Sequence, residues 1–298
     1  LGGQGVGEAT DKLLYGETNP SGRLAETFPV RLEDNPSYLN FPGDGTNVDY
    51  TEGIYVGYRY YDKKKLPARW AFGHGLSYTS YTYSNLQTPT KTLEDDGSIK
   101  IFVDVKNTGN MAGKEVVQLY VRDLNGTAGR PEKELKGFSK ILLSPGEKKT
   151  VEFSLNARDL SFYHEGLSDW YAPSGEYEIL IGHASDDIVL REKINFQTKK
   201  QLPLYVTGAT TIGELLNHPV TTPIVGKMLQ GMNEKMGVME AQDAENGLGT
   251  GAEMMEAMAY GMPLKSLASF AGPEVAAQIE QMILALNQAL GNKTIVEN

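Results

Sequence analysis

Thirty-eight acidic side chains and four histidines are the groups of this chain that could move protons or hold a metal. Among the acids Glu52 stands out. It sits beside Gly53 in the run Tyr50-Thr51-Glu52-Gly53-Ile54-Tyr55-Val56-Gly57-Tyr58-Arg59-Tyr60-Tyr61-Asp62. A carboxylate there could act as an acid or base, but a backbone hydrogen bond or an ion pair with Arg59 is the preferred reading. His74 lies between Gly73 and Gly75, where a hydrogen bond holding a tight turn is expected rather than catalysis. His164, His183 and His218 are scattered, and no two histidines have metal-ligand spacing on one element. Gly2, Gly3, Gly5 and Gly7 precede a helical stretch, but the lysine and the preceding strand of a phosphate loop are missing. Asn125-Gly126-Thr127 and Asn292-Lys293-Thr294 fit the glycosylation triplet, a pattern that chance supplies often. No catalytic, cofactor-binding or metal-binding residue is assigned, and no cofactor is expected.

Composition narrows the classes. A net charge of −10 disfavours nucleic acid, whose phosphates select basic surfaces. The absence of cysteine removes disulfides, thiolate metal sites and a cysteine nucleophile. No apolar run of about 18 residues is present, so no transmembrane helix is expected. The chain opens at Leu1 without the basic start and apolar middle of a signal peptide. It is read as a fragment that begins inside a domain. That leaves export open; the cytoplasm of a bacterium is favoured over secretion.

The elements that must position these residues change along the chain. Residues 5–15 predict a helix with Ala9, Leu13 and Leu14 on one face and Gly16 as its stop. Asn19-Pro20-Ser21-Gly22 predicts a turn, and Arg23 to Phe28 a short extended segment ended by Pro29. Residues 31–70 lose the helical pattern and gain tyrosines, which predicts an ordered connection packing its aromatics between two domains. From 76 to 197 the pattern has period two: Ile99, Ile101, Val103 and Val105; then Val117, Leu119 and Val121; then Val151, Phe153 and Leu155; then Tyr177, Ile179 and Ile181. Turns at Asn107-Thr108-Gly109-Asn110 and Ser144-Pro145-Gly146-Glu147 complete the pattern of an antiparallel β-sandwich. Beyond 203 the chain turns helical. Leu215, Leu216, Met228, Met232 and Met236 suggest short amphipathic helices, and Val275, Ile279, Met282, Ile283 and Leu286 share one face of a longer one. Eight of the ten methionines lie between Met228 and Met262, and residues 237–251 read as a loop. No internal repeat is evident.

The ordered set Leu1-Gly2-Gly3-Gln4-Gly5, Asn19-Pro20-Ser21-Gly22-Arg23-Leu24, the tyrosine-rich run and Phe72-Gly73-His74-Gly75-Leu76-Ser77-Tyr78 resembles the C-terminal third of a family 3 glycoside hydrolase of β-glucosidase type. The segments Asn107-Thr108-Gly109 and Leu135-Lys136-Gly137-Phe138 are similar to the fibronectin type III-like domain that ends many such enzymes. The resemblance covers roughly residues 1–195. It implies a mainly β fold with α. Residues 1–40 end an α/β sandwich domain, 41–75 connect, 76–200 form the fibronectin type III-like domain and 201–298 a helical tail. It also implies that the nucleophilic aspartate and the acid/base glutamate both precede this chain. Asp169-Trp170 matches the string around the nucleophile by chance, in the wrong domain. The opening glycines would serve close backbone approach. Implied partners are the N-terminal barrel and α/β portions of the same enzyme and its β-glucoside substrate. A homo-oligomer through the tail is a further expectation, and neither nucleic acid nor membrane is. The alternative is a non-catalytic β-sandwich module that binds carbohydrate or protein, with a helical oligomerisation tail. Such modules display aromatics, and Trp70 and Trp170 are expected to be buried.

Overall fold

A computed structural model of the chain describes residues 3–227, 260–266 and 273–292. It divides into two compact units, Leu1–Gln201 and Leu202–Asn298. The first unit opens with α1 (Val6–Leu14), β1 (Phe28–Pro29), α2 (Tyr58–Lys64) and β2 (Ala68–Trp70). The sandwich strands are β3 (Tyr81–Gln87), β4 (Thr92–Glu94), β5 (Ser98–Asn107), β6 (Gly113–Asp123), β7 (Glu134–Leu143) and β8 (Lys148–Asn156). After α3 (Ala157–Leu160) come the hairpin β9 (Phe162–His164) and β10 (Asp169–Tyr171), then β11 (Gly175–Ala184) and β12 (Asp187–Gln197).

A five-stranded sheet in the order β4-β12-β11-β6-β7 faces a three-stranded sheet in the order β3-β5-β8. The expected alternation holds in both. Ile101, Val103, Val117, Leu119, Ile179 and Ile181 are fully buried in one core, joined by Ile99, Val105, Val151, Leu155 and Tyr177. Burying a side chain of this size contributes about 1.5–3 kcal/mol relative to exposure. One pair departs from the antiparallel expectation. The short β4 lies parallel to β12, with Thr92 opposite Asn195, because it joins the sheet edge through a crossover rather than a hairpin. Turn chemistry is also as read: Gly146 has φ 76° between β7 and β8. Asn107 is fully buried at the β5 exit, where its amide donates to the carbonyls of Met111 (2.9 Å) and Leu143 (3.0 Å).

The leading segment behaves differently. The helix α1 forms where predicted and ends at Gly16 with φ 74°, yet it buries none of its residues, and Leu14 is 73% exposed. The extended stretch is shorter than Arg23 to Phe28. Only Phe28–Pro29 pairs as a strand, with Ala68–Trp70, since Pro29 cannot donate to extend the ladder. Inside the tyrosine-rich connection the structure places a two-turn helix, α2, which the loss of helical pattern did not predict. Tyr58 and Tyr61, three apart, form its buried face.

The second unit contains α4 (Ile212–Leu216) and α5 (Pro273–Ala289). The helix α4 starts with a capping box, Thr211 and Glu214 satisfying each other's backbone N–H groups. Residues 210–212 and 262–264 bridge reciprocally: Ile212 N donates to Met262 O at 3.2 Å and Leu264 N to Thr210 O at 3.0 Å. Leu215, Val225, Leu264, Ile279 and Leu286 close a small core, with Leu216, Met282 and Ile283 packed against it. The Asn287 amide clips residue 206 to α5 by donating to Val206 O (2.7 Å) and accepting from Val206 N (2.9 Å). The predictions for Met228, Met232, Met236, Val275 and residues 237–251 lie outside the described residues or side chains.

Candidate functional site

The first buried knot joins the leading segment to the sandwich through Glu115. This acid on β6 has a fully buried side chain. One carboxylate oxygen accepts from the Arg23 guanidinium, and the other accepts from Tyr83 on β3 and bonds His183 Nδ1 on β11, both at 2.8 Å. Burial alone would raise the Glu115 carboxyl; the His183 hydrogen bond, the Arg23 charge and the Tyr83 hydroxyl outweigh it and hold it below the usual range. Burial and the facing carboxylate push the Tyr83 phenol far up, so it stays a donor.

Around this knot, motifs far apart in sequence are pressed together. Arg23 also donates to Gly75 O at 2.6 Å. Leu24 N donates to His74 O, and Gly73 N to Leu24 O, both at 2.8 Å. Asn19, buried at the turn, accepts from Tyr78 N (2.7 Å) and donates to Ser77 Oγ (2.9 Å). Gly75 is required here, because a Cβ would run into the Gly22 carbonyl and the Arg23 side chain. The Phe-Gly-His-Gly turn is thus held by backbone bonds, and the half-buried His74 ring makes no hydrogen bond among the described residues.

A second knot seats α2 on the outer face of the five-stranded sheet. Tyr58 packs edge-on against Tyr120 at 5.7 Å, beside Leu180 and Phe72, and its hydroxyl accepts from Leu135 N at 2.7 Å. Lys133 pairs with Asp62 at 2.5 Å, and Arg59 with Glu134 at 3.4 Å. Burial raises the Asp62 carboxyl despite that lysine.

Several expectations need correction. Glu52 does not pair with Arg59, which engages Glu134 and the Ile54 carbonyl; Glu52 Oε2 is shielded and has no partner. Among the described residues a Cβ on Gly3, Gly5 or Gly7 would meet nothing within 4 Å, and Gly2 is outside them. Trp70 and Trp170 are not buried but 44% and 40% exposed. Trp70 meets Phe28 edge-on, and Trp170 carries the Arg158 guanidinium 3.0 Å from its ring centre. Asp169 is a surface acid on β10, held low by its hydrogen bond from Lys200. Asn125 is exposed, and Asn292 donates to Leu204 O. His218 Nδ1 accepts from Val220 N, and His164 Nδ1 is buried without a partner. No cluster of three metal-ligating side chains occurs among the described residues. The residues that sequence reasoning missed are Glu115, His183 and Tyr83.

What remains is an open face. A cleft of ≈ 760 Å³ lies between α1 and the sandwich, lined by Gly5, Ala9, Leu13, Lys114 and Leu142 among others. More than half of the exposed large apolar side chains among the described residues belong to residues 3–78, including Tyr15, Leu32, Leu39, Phe41, Tyr50 and Leu76. Exposed apolar side chains concentrated in one segment suit an interaction surface better than a solvent face.

Comparison with known proteins gives this face a context. Residues 1–58 match the glycosyl hydrolase family 3 C-terminal domain, and residues 115–185 match the fibronectin type III-like domain. The chain is 42% identical over 288 residues to thermostable beta-glucosidase B of Acetivibrio thermocellus, covering 96% of this chain and 37% of that protein. It is 45% identical over 203 residues to a beta-glucosidase of Kluyveromyces marxianus, covering 67% of this chain and 23% of that one. The solved GH3 beta-glucosidase of Bifidobacterium adolescentis superposes with a TM-score of 0.67 at 36% identity, over 74% of this chain and 32% of that chain. The chain therefore spans between about a quarter and a little over a third of the length of these relatives.

Proposed function

This chain belongs to the family 3 glycosyl hydrolases, as a C-terminal portion, and from that premise we propose that it serves a retaining β-glucosidase as the part that docks and braces rather than the part that reacts. Residues 1–40 complete an α/β sandwich domain, 41–75 form the connection, 76–200 the fibronectin type III-like domain and 201–298 a helical tail. Both catalytic carboxyls are supplied by the N-terminal portion, and the substrate is a terminal β-linked glucose or related sugar. The observation that carries this reading is the pairing of an open apolar face on residues 3–78 with buried knots that lock the same residues to the sandwich. A retaining glycosidase needs two carboxyls about 5–5.5 Å apart across one bond. Glu115 is not placed to be one of them: it is enclosed by a guanidinium, a phenol and an imidazole.

An aryl β-glucoside assay tests the reading. The chain alone is expected to show no turnover above background, and adding the N-terminal portion of a close relative to restore it. Robust turnover by the chain alone that disappears in Glu52→Gln would overturn the assignment. A helical tail that joins two copies is a second part of the proposal, supported by Leu284 exposed on α5. Light scattering with and without residues 202–298 decides it, equal monomer masses removing that part.

A further inference from the structure

The loop between β6 and β7 carries Asn125-Gly126, and among the described residues no other asparagine is followed by glycine. That pair has a covalent chemistry of its own, because glycine has no side chain to keep its backbone nitrogen away from the neighbouring side-chain amide. The surroundings leave the reaction open. Leu124, Asn125 and Gly126 are all exposed. Gly126 has φ 72°, a Cβ there would meet nothing within 4 Å, and its N–H donates to no backbone carbonyl among the described residues. Asn125 itself has a task. Its backbone N–H (2.7 Å) and its side-chain amide (2.8 Å) both donate to Oδ1 of Asp123, the last residue of β6. The Asp123 side chain is buried, and its other oxygen accepts no hydrogen bond. The Arg130 guanidinium lies 3.8 Å from that oxygen and donates to Leu160 O and to Glu134, both at 2.6 Å. Glu134 in turn pairs with Arg59 of α2. The amide of Asn125 thus stands at one end of a run of polar contacts that closes the β6–β7 connection.

We propose that Asn125 is a site of spontaneous deamidation, and that its conversion to aspartate or isoaspartate unfastens the β6–β7 connection. The Gly126 nitrogen gives its proton to solvent base and attacks Asn125 Cγ. The Cγ–Nδ2 bond then breaks, and Nδ2 leaves as ammonia with a proton taken from solvent. Water opens the resulting cyclic imide in either of two ways. Addition at Cγ breaks the new bond to Gly126 nitrogen and gives aspartate with the original peptide bond. Addition at the Asn125 backbone carbonyl carbon breaks that peptide bond and leaves the backbone running through Cγ, as isoaspartate. Water is the one co-reactant. Both products replace the amide that donates to buried Asp123 with a carboxylate, so two like charges meet where a hydrogen bond stood. Isoaspartate also lengthens the backbone of the loop by a methylene.

Incubation of the full chain in mildly alkaline buffer, followed by peptide mapping with isoaspartate detection, tests the chemistry against the same chain unfolded in urea. In the folded chain the peptide holding residues 125 and 126 is expected to gain the mass change of an amide nitrogen exchanged for oxygen, together with isoaspartate. The whole chain should gain an acidic species on ion exchange, at a rate that rises with pH because attack needs the deprotonated nitrogen. Mapping also separates this site from Asn246-Gly247, which shares the sequence and lies outside the described residues. Conversion in urea with none in the folded chain would show that the fold protects the pair, and overturns the proposal. Asn125→Ser has no amide to lose, so its peptide should stay unmodified; a mass change persisting there would place the chemistry elsewhere and overturn it too. Thermal melts read the consequence. Asn125→Asp should lower the midpoint by about 2–4 °C, and an unchanged midpoint would refute the unfastening.

Discussion

Residues 76–200 bury their apolar side chains against one another, whereas residues 3–75 present theirs to solvent and bury almost nothing of their own. The sandwich core runs through both sheets. The leading segment has no equivalent. Its few buried side chains, Asn19, Tyr58, Tyr61 and Ala71, sit where it is tied to the sandwich or within α2. Two regions of one compact unit thus follow different rules: one is stabilised by its interior, the other by polar bonds to its neighbour. The sandwich covers one side of the leading segment, while Leu14, Leu39 and Phe41 stay exposed.

Substitutions can break or sharpen that contrast. The largest effect is expected at the tie itself. Glu115→Ala leaves Arg23 and His183 facing an emptied pocket and should destabilise the first unit by about 3–5 kcal/mol. Urea unfolding measures it, and a loss below about 1 kcal/mol would show the knot to be dispensable. Leu119→Ala, in the centre of the core, should cost about 2–4 kcal/mol through lost burial and a cavity. The same denaturation series checks it.

Acid should loosen the tie before the core. The Glu115 carboxyl is depressed in the folded chain, so its contribution is fully present above the unfolded value near 4.5 and is lost as pH falls through the lower folded value. Asp62 acts in the opposite sense: raised by burial, it favours folding in acid and costs stability above its folded value. Limited proteolysis of residues 17–24 across pH 3–6 separates the two. Cleavage that rises only below about pH 4.5, and does so less steeply in Glu115→Gln, is the expected outcome. The smallest effect belongs to the open face. Leu14→Ser should change the stability of the isolated chain by less than about 0.5 kcal/mol, because Leu14 touches little. A large loss would mean that α1 is already covered.

How much of this was legible beforehand follows from physics that acts locally. Period two announced β5, β6 and β11 because each strand turns one face to the core, and the glycine-containing turns announced their connections. The helix α2 escaped notice because seven residues offer only one i,i+3 pair of tyrosines, Tyr58 and Tyr61, among three tyrosines that also suit strands. The Glu115 knot escaped because its partners, Arg23 and His183, lie 92 and 68 residues away. A signal was present all the same. Glu115 stands two places before Val117, in the inward phase of β6, and an acid on that parity demands a partner. The tryptophans misled because large apolar rings in motif-like runs suggest burial, while Trp170 is instead capped by Arg158 and Trp70 stays on the open side.

The 92-residue separation between Arg23 and Glu115 also sets a clock. A ribosome adding about 5–20 residues per second needs roughly 5–20 s to move from one to the other. Until Glu115 follows Arg23 out of the tunnel, the guanidinium has no carboxylate to meet. The tie between the leading segment and the sandwich is therefore the last of the bonds to Arg23 that synthesis permits, and slow codons between residues 24 and 115 would delay it.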